Sequence, residues 1–418
     1  MKILINGGGI SNNALIKLLD KDNIEYDIED NKGVYDYVVR TPGTMREKVK
    51  ALGKIITDIE LISLLYNKEI IGITGTNGKT STTLLIHHLM KKHYKCQLGG
   101  NIGIPYASIV KEKGIKILEL SSFELEGTIS FKPHVALILN ITPAHLDYHK
   151  SMDEYIKAKA KLIQNMNEND FIIYNKDDSN VLSLVSEAKA KLYSFSLNSM
   201  DADAYYKNGR IIVNKKEYNI KDFYSTSKAD LKNIMAVILT TNLYLIPYKA
   251  IIKGLKSFKK PKYRMEKITE RIYNDAKSTN IYSTTESLKE FKEVILISGG
   301  YDRLDNLDEL KPYLDKVKVF YLYGENRFRY EKFLKKNNKA YHSFANLNMV
   351  INEVIKEDGI ILFSPMAPSY DQFKDYKERG AYFERKIKKA IKAFQLKMWY
   401  LDCLDKYRQR QIILIFLQ

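Results

Sequence analysis

The sequence predicts an α/β protein built on parallel sheets, and three observations support that prediction. Short apolar strands alternate with helical patterns along most of the 418 residues. Residues 135–141 form an almost continuous apolar run, which is typical of a strand in a sheet covered on both faces. Glycine-rich and polar segments follow the strands, and in open α/β sheets ligands bind beyond the carboxyl ends of the strands.

Residues 1–67 form the first predicted α/β unit. Strands are expected at residues 2–6, 25–29, 37–40 and 54–57, and a helix at residues 12–19. The run Gly7-Gly-Gly9-Ile-Ser-Asn12 resembles a dinucleotide-binding turn, but Asn12 stands where the third glycine should be. Asp27, Glu29 and Asp30 lie near the place of a ribose-binding acid. An NAD site stays open as an alternative, and a site for a nucleotide diphosphate substrate is favoured over it.

The clearest motif is Gly72-Ile-Thr-Gly-Thr-Asn-Gly-Lys-Thr80, between a buried strand and a helix. A strand, a glycine-rich turn and a helix start direct backbone N–H groups and the positive end of the helix dipole at an anion. Lys79 can reach the β- and γ-phosphates, and the Thr80 hydroxyl can bind the accompanying Mg²⁺. Ile73 replaces the first glycine of the general GxxxxGK[ST] pattern. The Lys-Thr pair at the helix start nevertheless favours nucleotide binding over an ordinary strand-to-helix connection.

Two further strands of residues 68–257 end in groups suited to phosphate or metal. The strand at residues 115–120 ends at Glu119, and the strand at residues 135–141 is followed by His145. Because such strand ends meet at one edge of a sheet, we expect both side chains near the phosphate loop. Taken singly, His145 could be a structural loop histidine and Glu119 a satisfied carboxylate.

Two helices follow in the same unit. Ser151 and Glu154 indicate a capping box that opens a helix reaching about residue 164. Lys157, Lys159 and Lys161 cannot all face one way on a helix, so by default all three are expected in solvent. Residues 171–224 predict short strands and turns, and residues 228–245 a second helix, in which Asn233 is a polar interruption.

Residues 258–385 form a third α/β unit. Strands are predicted at residues 272–274, 293–297, 317–322 and 359–363, and polar segments follow them. Residues 386–418 form a basic, helical extension. A helix packed on the C-terminal domain or a reading-frame artefact is favoured for this extension over a membrane-surface role.

Composition bounds the function only loosely. The net charge of +17 would be compatible with binding to nucleic acid, but the lysines are spread along the whole chain rather than concentrated on one element. Two cysteines cannot build a disulfide framework, so a reducing cytoplasm is expected. No signal peptide is expected at the start, and the apolar run at residues 412–417 is too short to span a bilayer.

Together these motifs resemble the Mur ligase family of bacterial wall synthesis. The matching segments, in chain order, are residues 74–80, 100–103, 119–126, 145–147, 155–159, 263–266, 274–280, 299–303 and 364–380. The phosphate loop is common to the whole family. The segment Asp371-Gln-Phe-Lys374 and its flanks resemble the members that add D-glutamate.

The resemblance implies three domains. These are a Rossmann-like N-terminal domain for a UDP-sugar (residues 1–67), a central P-loop ATPase domain with a mainly parallel sheet (residues 68–257) and a Rossmann-like C-terminal domain for the amino acid (residues 258–385). It also implies the reaction. ATP phosphorylates the carboxylate of UDP-N-acetylmuramoyl-L-alanine, and the amine of D-glutamate displaces phosphate, in cytoplasmic synthesis of peptidoglycan precursors for cell-wall growth, cell shape and cell division. A monomer without nucleic-acid partners or transmembrane segments is expected.

The resemblance also implies site residues. Thr80 and Glu119 would hold one Mg²⁺, and His145 with a carbamylated Lys159 would serve a second. The residues implied to contact ATP are Gly75, Thr76, Asn77, Gly78, Lys79, Thr80, Ser81, Asn233, Arg264 and Asp275. Those around D-glutamate are Lys277, Thr279, Arg303, Ser369 and Tyr376, and those facing the UDP-sugar are Ser11, Gly43 and Asn101.

The chain departs from the family's usual residues at several positions. Family members usually have Gln at Glu124, Asp at Ala144, Arg at Tyr148, His at Tyr263, and a His-Asn pair at Ala229-Asp230. Two alternative functions stay open. One is a related Mur-type or folate-type ligase that adds a different amino acid, and the other is a basic P-loop protein that binds nucleic acid.

Overall fold

The computed structural model describes residues 1–28, 33–44, 47, 49–259, 261–304 and 307–416. At residues 147, 282, 286 and 397–416 the description covers the backbone alone. The chain divides into two compact units, Met1–Lys259 and Lys260–Gln418. The predicted α/β class with mainly parallel sheets is confirmed. Within the described residues, no helix is long and apolar enough to cross a membrane.

The first unit begins with a small parallel sheet. Its strands, in the order β1-β2-β3, are β1 (Ile3–Asn6), β2 (Val34–Arg40) and β3 (Leu52–Ile56), and its helices are α1 (Ile10–Lys21) and α2 (Asp58–Leu65). The strand predicted at residues 25–29 was wrong in the part that the structure describes. Asp27 pairs both of its backbone groups with β1 as an isolated bridge, and its described neighbours do not extend the pairing. Glu29 and Asp30, named as candidate ribose-binding acids, lie outside the described residues.

The larger sheet of the first unit has nine strands in the order β12-β11-β10-β9-β8-β7-β4-β6-β5. They are β4 (Ile70–Thr74), β5 (Cys96–Gly100), β6 (Ile115–Glu119), β7 (Val135–Ile138), β8 (Phe171–Asn175), β9 (Lys191–Ser196), β10 (Ala204–Lys207), β11 (Arg210–Val213) and β12 (Lys216–Asn219). Strands β4 to β10 run parallel, whereas β11 and β12 form antiparallel pairs. Strand β4 therefore lies between β6 and β7, which brings the ends of these three strands together.

Helices cover both faces of this sheet. They are α3 (Lys79–Met90), α4 (Tyr106–Ile109), α5 (Ser122–Leu125), α6 (Leu146–His149), α7 (Met152–Ala160), α8 (Ser179–Val185), α9 (Lys228–Leu243) and α10 (Tyr248–Ser257). Strand β7 shows why its sequence is apolar throughout. Val135 and Leu137 lie in one hydrophobic core with α3 and α9, and Ala136 and Ile138 lie in the other core. Alternate residues of one strand thus fill two different cores.

The second unit has one sheet of six strands in the order β13-β14-β18-β15-β16-β17. They are β13 (Glu266–Thr269), β14 (Ile272–Asn274), β15 (Val294–Gly299), β16 (Val317–Tyr323), β17 (Tyr341–Ser343) and β18 (Ile361–Phe363). Only the pair of β13 and β14 is antiparallel among the described strands of this sheet. The helices are α11 (Ile281–Leu288), α12 (Arg327–Lys336), α13 (Leu347–Val354) and α14 (Tyr376–Phe416).

Some helices and strands end earlier than predicted, because their apolar sequence pattern continues beyond the last backbone hydrogen bond of the element. The strand predicted to residue 141 ends at Ile138, and the helix predicted to about residue 164 ends at Ala160. Helix α14 continues through residue 386, so the helical prediction for the extension is confirmed up to residue 416. Phe383 and Ile387 of this helix are buried in the core of the second unit. Each predicted domain range contains one of the three sheets, and the domain boundaries themselves stay predictions.

Candidate active site

The predicted phosphate loop lies between β4 and α3. Gly78 is the residue before the helix and has a left-handed backbone, with φ of 85°, which a glycine adopts without strain. Helix α3 then begins at Lys79. The N–H groups of a first helical turn have no partner inside the helix, so they can bind an anion at this end. The predicted strand, loop and helix are therefore in place.

The segment after β7 holds this loop by hydrogen bonds that the sequence analysis did not predict. The Thr76 and Asn77 N–H groups donate to the Asn140 backbone and side-chain oxygens, both at 2.8 Å. The Thr76 hydroxyl donates to the Thr142 carbonyl oxygen and accepts from the Thr142 N–H, both at 3.0 Å. The backbone of the loop is thereby held before any phosphate binds. The only signal in the sequence was Asn140 itself, a polar residue near the end of the apolar run at residues 135–141.

The two residues at the start of α3 have different partners. The Lys79 ammonium donates to the carbonyl oxygens of Gly75 at 2.7 Å and Thr76 at 2.9 Å, so its charge lies within the loop. The Thr80 hydroxyl donates to the Glu119 carboxylate at 2.7 Å. The structure thus brings together the two oxygen ligands predicted for one Mg²⁺. Both are hard oxygen donors, which Mg²⁺ prefers.

Two asparagines predicted to bind ligands also lie at this end of the sheet. The Asn101 N–H donates to the Glu119 carbonyl oxygen at 2.8 Å, and the Asn101 side chain is exposed. Asn233 of α9 lies directly over Gly78, because a Cβ at Gly78 would come within 2.5 Å of the Asn233 side-chain oxygen. A side chain at position 78 would therefore collide with Asn233. Ser81, in the first turn of α3, is buried.

Lys159 is buried beneath the phosphate loop, which corrects the default expectation that it lies in solvent. It is 1% exposed, and its ammonium donates to the Gly75 carbonyl oxygen at 3.0 Å. The ammonium also lies 4.7 Å from the centre of the Tyr155 ring, one turn earlier on α7. Burial, and then the charge of Lys79, holds the pKa of Lys159 well below its usual value. A buried lysine with a lowered pKa can carry an uncharged, nucleophilic amine.

His145 lies on the same side of the unit as Tyr155. Its backbone is left-handed, with φ of 57°, and it precedes the short helix α6. Its ring packs edge-on against Phe123, with 4.9 Å between ring centres, and lies 6.5 Å from the Tyr155 ring. His145 and Lys159 therefore both contact Tyr155. In the described part of the chain, no group of three or more His, Cys, Asp or Glu side chains could hold a metal ion. The two predicted Mg²⁺ ligand sets, Thr80 with Glu119 and His145 with Lys159, each contain one such side chain.

The glycine turn after β1 is held by Asn12 and Thr41. The fully buried Asn12 amide donates to the Gly7 carbonyl oxygen at 2.8 Å and to the Thr41 hydroxyl at 3.2 Å. The Thr41 hydroxyl donates to the Gly8 carbonyl oxygen at 2.6 Å. Asn12, which stands in place of a third glycine, thus has a structural role. Ser11 lies in the first turn of α1, directly after this turn, and the exposed Gly43 lies two residues after Thr41; both stay candidate UDP-sugar contacts.

An ion pair between the buried Arg40 and the partly exposed Glu126 joins β2 to the segment after α5, and the sequence analysis missed it. Arg40 at the end of β2 is 1% exposed and donates to the Glu126 carboxylate at 2.5 Å. The Tyr148 hydroxyl donates to the same carboxylate at 2.8 Å and accepts from Arg40 at 2.9 Å. Tyr148 is one of the departures from the family pattern, and it completes this network. Its partners are far apart in the sequence, so no local pattern indicated it.

In the second unit, Asp275 connects the polar segments that follow the strands. Its buried carboxylate accepts hydrogen bonds from the hydroxyls of Ser278 at 2.5 Å, Ser287 at 2.6 Å and Ser364 at 3.0 Å. The Met265 N–H donates to it at 3.2 Å. This carboxylate therefore holds the segments after β14 and β18 together. Its predicted contact with ATP, like that of Arg264, stays a prediction.

The candidate D-glutamate residues form two pairs in this unit. The Lys277 ammonium lies 4.4 Å from the centre of the Tyr376 ring. Arg303 donates to the Thr279 carbonyl oxygen at 3.4 Å, and the Arg303 side chain is exposed. Ser369 is buried, and its carbonyl oxygen accepts from the N–H groups of Gln372 and Phe373. Because β18 lies between β14 and β15, the segments carrying these residues leave adjacent strands.

A basic cleft of about 720 Å³ lies at the opposite end of α3 from the phosphate loop. Its lining includes Lys91, Lys92, Lys95, Lys111 and Lys113, which are exposed. The helix dipole favours cations at a helix C-terminus, which accounts for Lys91 and Lys92 without a ligand. None of the candidate catalytic residues lines this cleft.

Known proteins share this fold. Residues 73–241 match the Mur ligase middle domain. The chain resembles a pseudomurein peptide ligase type C from Methanothermus fervidus, with a TM-score of 0.61, 17% identity, and coverage of 93% of this chain and 99% of that one. It also resembles MurF ligase from Thermotoga maritima, solved in complex with ADP, with a TM-score of 0.60, 15% identity, and coverage of 93% and 95%. The fold is that of the Mur ligases.

Relatives with higher sequence identity show to which family of ligases the chain belongs. The chain is 33% identical over 398 residues to the UDP-N-acetylmuramoylalanine--D-glutamate ligase of Staphylococcus aureus (strain MRSA252), covering 92% of this chain and 87% of that one. It is 34% identical over 368 residues to the ligase of the same name from Listeria monocytogenes serotype 4b (strain F2365), covering 83% and 81%. The chain therefore belongs to the family of UDP-N-acetylmuramoylalanine--D-glutamate ligases.

Proposed function

We propose that the protein is an ATP-dependent ligase that joins D-glutamate to UDP-N-acetylmuramoyl-L-alanine in the synthesis of peptidoglycan precursors. The observation that carries the proposal is the convergence of three groups on the phosphate loop. The Lys79 ammonium lies within the loop, the Glu119 carboxylate contacts Thr80, and the Lys159 amine contacts Gly75. Membership of the D-glutamate ligase family supports the substrates.

The reaction has two steps. The terminal carboxylate of UDP-N-acetylmuramoyl-L-alanine first attacks the γ-phosphorus of ATP, which gives an acyl phosphate and ADP. The amine of D-glutamate then attacks the acyl carbon, phosphate leaves, and the amine loses a proton as the amide forms. Phosphoryl transfer depends mostly on positioning and on neutralising charge. The loop N–H groups and Lys79 perform both tasks for the phosphates of ATP.

The residues around the loop fit divalent metal ions. Thr80 and Glu119 would hold one Mg²⁺ through two oxygen atoms that lie 2.7 Å apart. His145 and a carbamylated Lys159 would serve a second. Bound Mg²⁺ neutralises charge on the transferred phosphate. Carbamylation forms a bond between the Lys159 nitrogen and the carbon of CO₂ and releases one proton, and it requires an uncharged amine. The buried position of Lys159 and its lowered pKa support that requirement.

The remaining residues are assigned by substrate. Asn233, Arg264 and Asp275 would contact ATP, and Ser11, Gly43 and Asn101 the UDP-sugar. Lys277, Thr279, Arg303, Ser369 and Tyr376 would surround D-glutamate, whose two carboxylates suit the cations Lys277 and Arg303. The enzyme would act in the cytoplasm, because its nucleotide substrates and a chain with two cysteines fit a reducing compartment. We also propose that it acts as a monomer.

Phosphate release tests the proposal directly. The protein is incubated with ATP, Mg²⁺ and UDP-N-acetylmuramoyl-L-alanine, and D-glutamate is compared with L-glutamate, D-alanine and L-lysine. We expect release that requires the UDP-sugar and D-glutamate together. Equal release with another amino acid would favour the alternative ligase. Release that is stimulated by nucleic acid and indifferent to amino acids would favour the nucleic-acid-binding alternative.

A further inference from the structure

We propose that Arg379 is a positioning residue for the amino-acid substrate, a role that rests on the function proposed above. Arg379 is not among the residues predicted to touch D-glutamate. It lies in the first turns of α14, three residues after Tyr376, and it is 0% exposed. A fully buried arginine is uncommon, because desolvating a charge costs free energy unless its N–H groups are satisfied.

The Arg379 guanidinium joins two segments that carry candidate substrate residues. It donates to the Ala276 carbonyl oxygen at 3.1 Å, and Ala276 directly precedes Lys277. It also donates to the carbonyl oxygens of Ala367 at 2.8 Å and Pro368 at 3.1 Å, and Pro368 directly precedes Ser369. The guanidinium is planar and rigid, so three such bonds determine the separation of the two segments.

A third segment packs against the same group. Gly300 follows β15 and has φ of 150°, and a Cβ built on it would lie 3.1 Å from a terminal nitrogen of Arg379. This segment leads to Arg303. The guanidinium therefore contacts the backbone after each of the adjacent strands β14, β18 and β15, and these are the segments that carry Lys277, Ser369 and Arg303.

Asp275 joins the same two segments as Arg379, close to the ends of the strands from which they leave. Its carboxylate joins Ser278 to Ser364, so it links the same two segments near the ends of β14 and β18. Arg379 links them again, at residue 276, between Asp275 and Ser278, and at residues 367–368, after Ser364. Two separate cross-links leave little freedom for the backbone between them. Small displacements of positioning groups can cost a large factor in rate, so a substrate pocket benefits from such support.

The charge of Arg379 is not cancelled by a direct ion pair. Among the described side chains, no carboxylate forms a salt bridge with it, although the charge of Asp371 interacts with it over a longer distance, and its hydrogen bonds to residues 276, 367 and 368 go to carbonyl oxygens. A buried cation beneath these segments also favours a substrate with two carboxylates. Space filling alone would be achieved at lower cost by an apolar side chain.

The test compares Arg379→Lys and Arg379→Gln with a matched control, Arg271→Lys. Arg271 lies in the same unit, just before β14, and also donates to two carbonyl oxygens, those of Glu357 and Ile355. Each protein is assayed below its own unfolding temperature for phosphate release, with D-glutamate and ATP varied in turn. We expect both Arg379 variants to raise the KM for D-glutamate by about tenfold or more, and to change the KM for ATP by less than about twofold. Arg271→Lys should lower only the unfolding temperature.

The outcomes separate this role from the proposed function. If the wild-type protein shows no release that depends on D-glutamate, the proposed function fails and this role fails with it. If the wild type is active and folded Arg379 variants keep the wild-type KM for D-glutamate, the positioning role alone is overturned. Failure of both variants to fold, or an equal effect in Arg271→Lys, would also overturn it, because the arginine would then be purely structural.

Discussion

The Lys159 nitrogen lies 3.0 Å from the carbonyl oxygen of Gly75, beneath the loop that binds phosphate in the proposed reaction. Two positions earlier on the same helix, the Lys157 side chain is 72% exposed and pairs with Glu154. Residues two apart on a helix do not share a face, so one lysine reaches the loop and the other reaches solvent. This pair of lysines provides an internal comparison for the proposed metal ligand.

Lys159→Ala should lose most activity if the carbamylated side chain serves a metal. A protonated lysine has donors and no acceptor, whereas a carbamate supplies two oxygens that Mg²⁺ can bind. Added acetate should restore part of the activity by supplying a carboxylate at the vacated position. Phosphate release is measured with and without acetate, and Lys157→Ala is the control. Equal, near-native rates for the two variants would reject the ligand role.

Lys79→Ala should lower turnover by about a hundredfold or more and leave the fold intact, because it removes one fixed charge from the transition state. Lys92→Ala, at the exposed far end of the same helix region, should remain near wild type. Turnover is measured by phosphate release, and folding by circular dichroism. A folded Lys79→Ala protein with near-normal release would show that the phosphate site was assigned wrongly.

Arg303→Ala should raise the KM for D-glutamate and change the KM for ATP little, since the lost contact is with one substrate. Arg303 is exposed and lies beside Thr279. Arg210→Ala removes another exposed arginine, on a hairpin of the first unit, and should change neither constant. Equal rises in both KM values for Arg303→Ala would place the amino-acid pocket elsewhere.

Glu124→Gln should weaken the dependence of stability on pH. Burial, and then the charge of Asp58, raises the pKa of Glu124 from 4.5 to about 8. Between these values the unfolded chain releases a proton that the folded protein keeps, so stability falls as pH rises. Burial raises the pKa of Asp58 to about 6 and lowers those of His87 and His88 from 6.5, so from about pH 6 to 8 the difference between the wild type and Glu124→Gln reports Glu124.

Calorimetry at several pH values measures this effect. The wild-type protein should lose on the order of a few kcal/mol across that range from this group, and the glutamine variant should not. Because glutamine is usual in the family at this position, the variant should stay folded. Identical slopes for the two proteins would mean that Glu124 does not hold its proton in the folded state.

Arg40→Met should lower the free energy of unfolding by about 1–3 kcal/mol, because the Glu126 carboxylate, which is 29% exposed, loses its buried cationic partner. Adding Glu126→Gln to this variant should recover part of the loss, since the unpaired charge is removed. Lys50→Met, at an exposed position, is the control. Urea unfolding measures the wild type, the single variants Arg40→Met and Glu126→Gln, the double variant and the control. Strict additivity of the two substitutions would show that the pair contributes no coupling.

Most of the fold could be predicted from the sequence. The order of strands and helices and the position of the phosphate loop follow from apolar periodicity and from glycines at strand ends, which are local properties. Glu119 and Thr80 were expected to meet, and they do, because parallel strands end at one edge of a sheet. The strand at residues 25–29 was wrong in its described part, because pairing along a sheet edge depends on a partner that the local pattern does not contain.

The tertiary structure alone decided which polar side chains are buried and with what partners. Lys159 is buried because it lies on the face of α7 that carries the buried Tyr155 and Ala158, and nothing in its local pattern distinguishes it from Lys157. The sequence analysis did not reveal the ties from Asn140 to the loop or from Arg379 to residues 276 and 367–368, because each joins segments that meet only once the strand order is set. Local preferences are encoded by neighbouring residues, whereas the burial and pairing of a distant side chain depend on how the sheets assemble.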